Sequence, residues 1–493
     1  MTTYPTYKQL DNYVKEGYTF LPIVINKKVS IFNPVVLWEK IKKGDYNFIL
    51  ESSKTDQFTY IGGDPLYIIK GENGITSKIN RIGNRETYYE TPLDILKRSM
   101  SKYSVPRIKG LPKFYGGAVG YLSYDMVRYF EDLPDEANDD LRIPDLYFMI
   151  MDKLWIYDHN LQQLYYIEYI YVENANSLKD LYDGTLERMN LIWDKLIKES
   201  DFNIDIIISD YDLEGTNYIV DETSFSEQEY ITAVEEIKKY ISQGDVFQVN
   251  LSVRQSKFLK KDGIDIYSHL RRINPSPYMG FMDFQEIQVV SGSPELLIEV
   301  EDKLIQTRPI AGTRPRGKDE LEDEFLVFDL LHNEKEISEH IMLVDLERND
   351  IGRVCKYGTI KVNQLMVVEK YSHVMHIVSN IVGELKSNYD IYDCIKATFP
   401  GGTITGVPKI RTMEIIEELE PVKRGLYTGS MGWIGFNGDS ELNILIRTLL
   451  IKEGKGYVQA GAGIVIDSIP ENEYIESLNK AKAIWRAVES SEK

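Results

Sequence analysis

YVQAGAGIVIDSIPENEYIESLNKAKAIWRAVE, residues 457–489, carries a strand and a helix in succession. Its first ten residues read as a strand in which glycine and alanine break an apolar run. From Pro470 onward the apolar positions fall at helical spacing. Pro470 suits the first helical turn, where a missing N–H costs nothing. Further strand-like pieces lie at FQVNLSV (247–253) and IQVVSG (287–292), and a second helix is expected near 321–346. Strands and helices are not regularly interleaved, as a doubly wound sheet requires. The pattern predicts an α+β fold with mostly antiparallel sheets.

The first ~200 residues read as mixed strands and helices. FILESS (48–53) and LYFMIMDKLWIYD (146–158) alternate or run apolar like strands, and LYDGTLERMNLIWDKLIKE (181–199) has helical spacing. The pattern fades over SDYDLEGTNYIVDETS (209–224). Ser224 or Ser226 then stands ready to cap a new amphipathic helix. The expected organisation is an N-terminal unit over 1–205, a linker over 206–223 and a second unit over 224–493.

A chain of 493 residues with 43% apolar and 27% charged residues can bury a sizeable core and has ordinary globular composition. It has no run of ~18 apolar residues and no basic-then-apolar start, which predicts a soluble cytoplasmic protein with no membrane segment. The two cysteines, Cys355 and Cys394, argue against a disulfide scaffold or a cysteine zinc site. A net charge of −20 argues against a nucleic-acid partner, since phosphate binding needs clustered cations. An anionic small substrate would need a local cationic or metal site.

Three sets of residues could carry chemistry. In NEKEISEHIMLVDLERND (333–350), Ile337, Ile341, Met342 and Leu346 form a helical stripe, and Glu336 and Glu339 share a face. Glu473, Glu476 and Lys480 repeat that arrangement near the C-terminus. Four carboxylates on two helices suit Mg²⁺, a hard cation that takes oxygen ligands. In a chain with 77 acidic residues, the spacing fits solvated helix faces as well. The glycine-rich segments GGTITGVPK (401–409) and QAGAGIV (459–465) could hold an anion on backbone N–H groups or could be tight turns. Neither has the form of a nucleotide P-loop. Gln248, His376 and Arg447 are polar residues inside apolar strands. A buried arginine implies an anionic partner, whereas a lone histidine fits a satisfied core position too.

Together these segments resemble the chorismate-utilising enzymes, and within them the anthranilate synthase large subunits. The resemblance spans essentially the whole chain and is carried by GDVFQVNLS, NPSPYM, SGSPE, RPIAGTRPRG, EHIMLVDLERND, SHVMHIVS, FPGGTITGVPK, AGAGIV and ENEYIES in that order. It implies antiparallel sheets packed as a sandwich with helices outside. It further implies that Glu339 and Glu476 bind Mg²⁺ directly, with Glu336 and Glu473 acting through water. Arg447, Tyr427, Gly312, Thr313 and the backbone of Gly461, Ala462 and Gly463 would contact the chorismate carboxylates, with Lys480 nearby. Glu295 would act as general acid, His376 would assist elimination, and Thr403 would stand beside the ring.

The activity so implied is that of a Mg²⁺-dependent lyase. Ammonia adds to chorismate to give aminodeoxyisochorismate, and pyruvate elimination then yields anthranilate, the first committed step of tryptophan biosynthesis. Isochorismate and salicylate synthases carry a water-activating lysine where Gln248 stands, and aminodeoxychorismate synthases typically carry a nucleophilic lysine where Ala311 stands. Aminodeoxychorismate synthase remains the alternative, and a non-catalytic chorismate or tryptophan sensor is the alternative from another class. ILESS (49–53) with residues 274–281 resembles a tryptophan inhibitor site built from Glu51, Ser52, Pro277, Tyr278 and Met279. No glutaminase segment is expected in the chain. A separate glutamine amidotransferase subunit (component II) would then supply ammonia, in a heterotetramer of two large and two small subunits.

Overall fold

The structure is a computed structural model, and it describes residues 2–52, 57–172, 177–199, 218–371 and 374–493. Residues 206–217 of the expected linker lie outside the described residues. Two large sheets organise the rest, and their ladders run antiparallel. In the first sheet, Asn47–Ser52 pairs with Tyr278–Asp283, which joins N-terminal strands to Ile287–Ser293, Thr448–Lys452, Lys455–Ile464 and Gln248–Phe258. In the second, Gly117–Leu122 pairs with Ser430–Gly435 and makes the same kind of junction. Both sheets thus draw strands from either side of residues 206–223.

The sheets pack face to face, as expected. Phe48, Leu50, Met149, Met282 and Trp433 fill the layer between them. Ile49, Trp155 and Phe281 turn the other way, into a helical layer with Trp193 and Trp485. Phe148 and Ile150 meet a second helical layer containing Val344 and Ile395. Successive side chains of a strand point to opposite faces. LYFMIM (146–151) is therefore continuously apolar because both of its faces are covered.

Two sequence expectations change in detail. The helix expected over 321–346 is two helices, Glu320–His332 and Glu334–Gly352, because Asn333 adopts an extended conformation and accepts the Glu336 N–H as a cap. The second helix does not bury the Ile337 and Ile341 stripe. It buries His340, Leu343, Val344, Glu347, Asp350 and Ile351, while Ile341 is exposed. The polar members of that face have partners: the Thr307 hydroxyl for Glu347, Lys409 for Asp350 and Ser379 for His340.

Candidate active site

The site begins where Gln248–Phe258 lies against Lys455–Ile464, with Asn250 opposite Gly463 and Ser252 opposite Gly461. A Cβ at Gly461 would come within 2.7 Å of Asn250 Oδ1 and 2.9 Å of Tyr427 Oη, and one at Gly463 within 2.3 Å of Gln248 Nε2. The missing side chains let Tyr427, Asn250 and Gln248 lie against bare backbone. Beside them, Thr428 (φ 62°) and Arg447 (φ 53°) hold left-handed conformations, which cost energy for residues with a Cβ and concentrate at functional sites. The Arg447 guanidinium makes no hydrogen bond or ion pair to a described residue. Its side chain is partly open to solvent, yet burial lowers its pKa and outweighs the opposing pull of Tyr427 and Glu476. A half-sheltered, unpaired cation beside bare backbone is suited to an anionic ligand.

The four candidate metal-face glutamates stand in two pairs. Glu339 accepts a hydrogen bond from Gln248 Nε2 at 3.1 Å. Its pKa is raised by burial and by Glu336, against the pull of Gln248, Lys335 and Lys480. Glu336 accepts from Arg314 Nη1 at 3.0 Å. On the other helix, burial and Glu476 raise the pKa of Glu473, while Ser468 offsets them. Lys480 joins the two sides: it pairs with Glu476 at 2.8 Å, donates to Gly461 O at 3.0 Å and acts electrostatically on Glu339, Glu473 and Glu295. Among the described residues no three acidic, histidine or cysteine side chains converge as a ready metal cluster. The donor set still fits Mg²⁺. It is all oxygen, its members repel one another, and Mg²⁺ commonly takes one or two carboxylates and completes its shell with water and substrate.

Glu295, in the turn before Leu296–Glu301, is almost fully buried. Burial first, and Glu347 as a negative neighbour, raise its pKa to about 8. Thr403 and the Ile310 N–H oppose that rise. The Thr403 hydroxyl meets no full hydrogen-bond geometry, so its influence is that of a nearby dipole. A carboxyl of this kind keeps its proton near neutrality and can act as a general acid. His376 faces Thr313 across neighbouring strands, and its Nδ1 lies 3.0 Å from Thr313 Oγ1 and 3.3 Å from Gly312 O. Gly312 takes φ 67° at a register shift between Ala311 and Thr313, and a Cβ there would approach Glu336 Oε2 at 3.0 Å.

The model of the chorismate binding enzyme family matches residues 46–486. The chain belongs to that family. The aminodeoxychorismate synthase component 1 of Bacillus subtilis (strain 168) is 46% identical to it, with 91% of this chain and 92% of the relative covered. The anthranilate synthase component 1 of Acetivibrio thermocellus is 39% identical with 99% of each chain covered. The crystal structure of anthranilate synthase component I from Streptococcus pneumoniae TIGR4 superposes with a TM-score of 0.77 at 35% identity, covering 94% of this chain and all of that one. This chorismate-binding enzyme is thus of the anthranilate or aminodeoxychorismate synthase type.

In this chorismate-binding enzyme Gln248 contacts Glu339, Lys480 contacts Gly461, and Thr313 contacts His376. The candidate inhibitor residues are distributed differently. Glu51 pairs in register with Met279, and Ser52 with Tyr278, so strand alternation sends the two pairs to opposite faces of the sheet. Glu51 and Met279 face the helices. There the Tyr267 hydroxyl and Arg271 both donate to Glu51. Pro277 is buried just before the strand. Sequence reasoning passed over Arg271, Arg314, Asn250 and Glu347. Asn250, Arg314 and Glu347 lie within GDVFQVNLS, RPIAGTRPRG and EHIMLVDLERND, a placement that hints at a site role, whereas Arg271 lies in none of these strings.

Proposed function

We propose that this enzyme is the large subunit of an anthranilate synthase, converting chorismate and ammonia to anthranilate and pyruvate. The observation that carries the reading is Ala311. It sits two residues before Thr313 on the strand that faces His376, where it offers no nucleophile to form a covalent adduct with the ring, so ammonia itself must attack C2. Gln248, held on Glu339, cannot serve as a base for water.

Arg447 and the bare backbone of 461–463 bind the carboxylates of chorismate, and Tyr427 lies against the same backbone. Glu339 and Glu476 would hold Mg²⁺, with Glu336 and Glu473 acting through water. Held there, Mg²⁺ would supply positive charge to neutralise a substrate carboxylate. Glu295 gives its proton to the C4 hydroxyl as ammonia adds at C2, and the hydroxyl leaves as water. His376, its Nδ1 anchored by Thr313 and Gly312, is placed to assist loss of the C2 proton as the enolpyruvyl group departs as pyruvate. Ammonia comes from a glutamine amidotransferase subunit, in keeping with the component 1 names of the relatives. Tryptophan inhibits through the region of Glu51.

A second reading, formation of aminodeoxychorismate, is favoured by the 46% identity to the Bacillus subtilis protein. One assay separates them. With chorismate, ammonium and Mg²⁺, anthranilate fluorescence and pyruvate should rise together, and leaving out Mg²⁺ should abolish both. Chorismate consumption without pyruvate release would establish the second reading instead.

A further inference from the structure

Glu295 is not the only acid in its surroundings that burial keeps from ionising freely. Glu347, on the inward face of helix Glu334–Gly352, is almost fully buried. It accepts the Thr307 hydroxyl at 3.0 Å, and the backbone N–H of Gly402 lies close enough to favour its charged form. Thr307 ends the strand that leads into residues 308–313, and Gly402 precedes Thr403. The Gly402 turn is pressed onto the same helix, since a Cβ there would come within 2.2 Å of Leu346 Cδ2. One side chain therefore ties two segments near Glu295 to its own helix.

The charges around this point do not balance. Asp350, one turn further along the helix, is paired with Lys409, which also donates to Thr398 O at 3.0 Å. Glu347 has only neutral donors. Glu295 is faced by Glu347 from this helix, by Lys480 from helix Pro470–Ser491 and by Tyr371 from the edge of the second sheet. Two buried carboxyls without a cation of their own cannot both ionise cheaply.

We infer that Glu347 is a positioning residue for the acid step: it pins Thr307 and the Gly402–Thr403 turn around Glu295 and, as a negative neighbour, keeps Glu295 in its proton-bearing form. It donates no proton to substrate. Its own carboxyl is pushed up to about 7 by burial and by Asp350, with Lys409 and Thr307 pulling the other way, so its charge grows over the pH range in which Glu295 must stay protonated.

The inference rests on the acid role given to Glu295 above. It is tested by the pH dependence of kcat for Glu347→Gln, followed as chorismate disappearance with saturating ammonium and Mg²⁺. Removing the negative neighbour lets Glu295 ionise at lower pH. The alkaline limb should move down by roughly half to one pH unit, with KM for chorismate within about twofold of wild type. An unmoved limb overturns the inference, as does a rise in KM that accounts for the whole loss. If Glu347→Gln does not melt cooperatively, Thr307→Val decides. Without the hydroxyl, Glu347 is more often neutral, so the limb should move the same way by a smaller amount, and an unmoved limb is again fatal. A wild-type enzyme that consumes chorismate without forming anthranilate refutes the proposed product but leaves this test intact. One that consumes no chorismate removes the acid step itself.

Discussion

Glu51 and Arg447 are buried or half-sheltered charges attached to the same sheet, a few strands apart, and they are treated in opposite ways. Glu51 is satisfied within the protein: Arg271 reaches it through both Nε and Nη2, the latter at 2.7 Å, and Tyr267 adds a third donor. Arg447 has strained backbone, a lowered pKa and no partner among the described residues. Buried polar groups are normally paired because leaving them unpaired costs about 1–3 kcal/mol each, more for charges. The difference separates a charge whose partner is internal from one whose partner must arrive from solution. A ligand at Glu51 competes with an existing ion pair. An anion at Arg447 completes one.

That contrast breaks most sharply at Arg447. Arg447→Ala should lower kcat/KM for chorismate by about 100-fold or more, the cost of losing a charge-assisted contact in a sheltered site. A loss below about threefold would show that the arginine is structural. His376→Met tests the second sheet, where strand Val374–Glu384 carries the histidine. Ammonia addition should continue while anthranilate output falls by roughly 10- to 100-fold and the amino intermediate builds up in chromatograms of the reaction. Normal anthranilate output would remove His376 from the elimination step. The smallest effect on turnover is expected at Glu51. Glu51→Gln should leave kcat within about twofold and weaken tryptophan inhibition by about tenfold, as loss of one modest polar interaction predicts. Unchanged inhibition would make the Glu51–Arg271 pair purely architectural.

The residues that were legible in the sequence are those whose neighbours along the chain decide their role. Ser226 announced its helix through a local capping box with Glu229. Pro470 marked a helix start, and Glu473, Glu476 and Lys480 shared a face by spacing alone. Ile49 and Leu50 sit in a strand that a short apolar run reveals. What escaped depended on distant partners. Nothing near residue 51 indicates that Arg271 will grip it, and no periodicity tells that Asn47–Ser52 pairs with Tyr278–Asp283, two segments that only the family resemblance brought together. Helix Glu334–Gly352 misled for another reason. Reading periodicity through apolar residues points to Ile341, whereas the packed face includes Glu347 and Asp350, made tolerable by Thr307 and Lys409. The break at Asn333 was hidden because helix-forming residues continue on both sides.

The exchange of strands across the chain has a consequence for handling the protein. A fragment cut near residue 220 would leave Tyr278–Asp283 and Ser430–Gly435 without their neighbours Asn47–Ser52 and Gly117–Leu122. Each would become an exposed apolar edge of the kind that templates aggregation. The strings that carry the family resemblance all lie in the C-terminal portion, yet that portion cannot close its own sheets. During synthesis the early strands must wait for partners that emerge some 230 or more residues later, an arrangement of high contact order that folds slowly. Chaperone demand and poor solubility of truncations are thus written into the topology of the sandwich rather than into its active site.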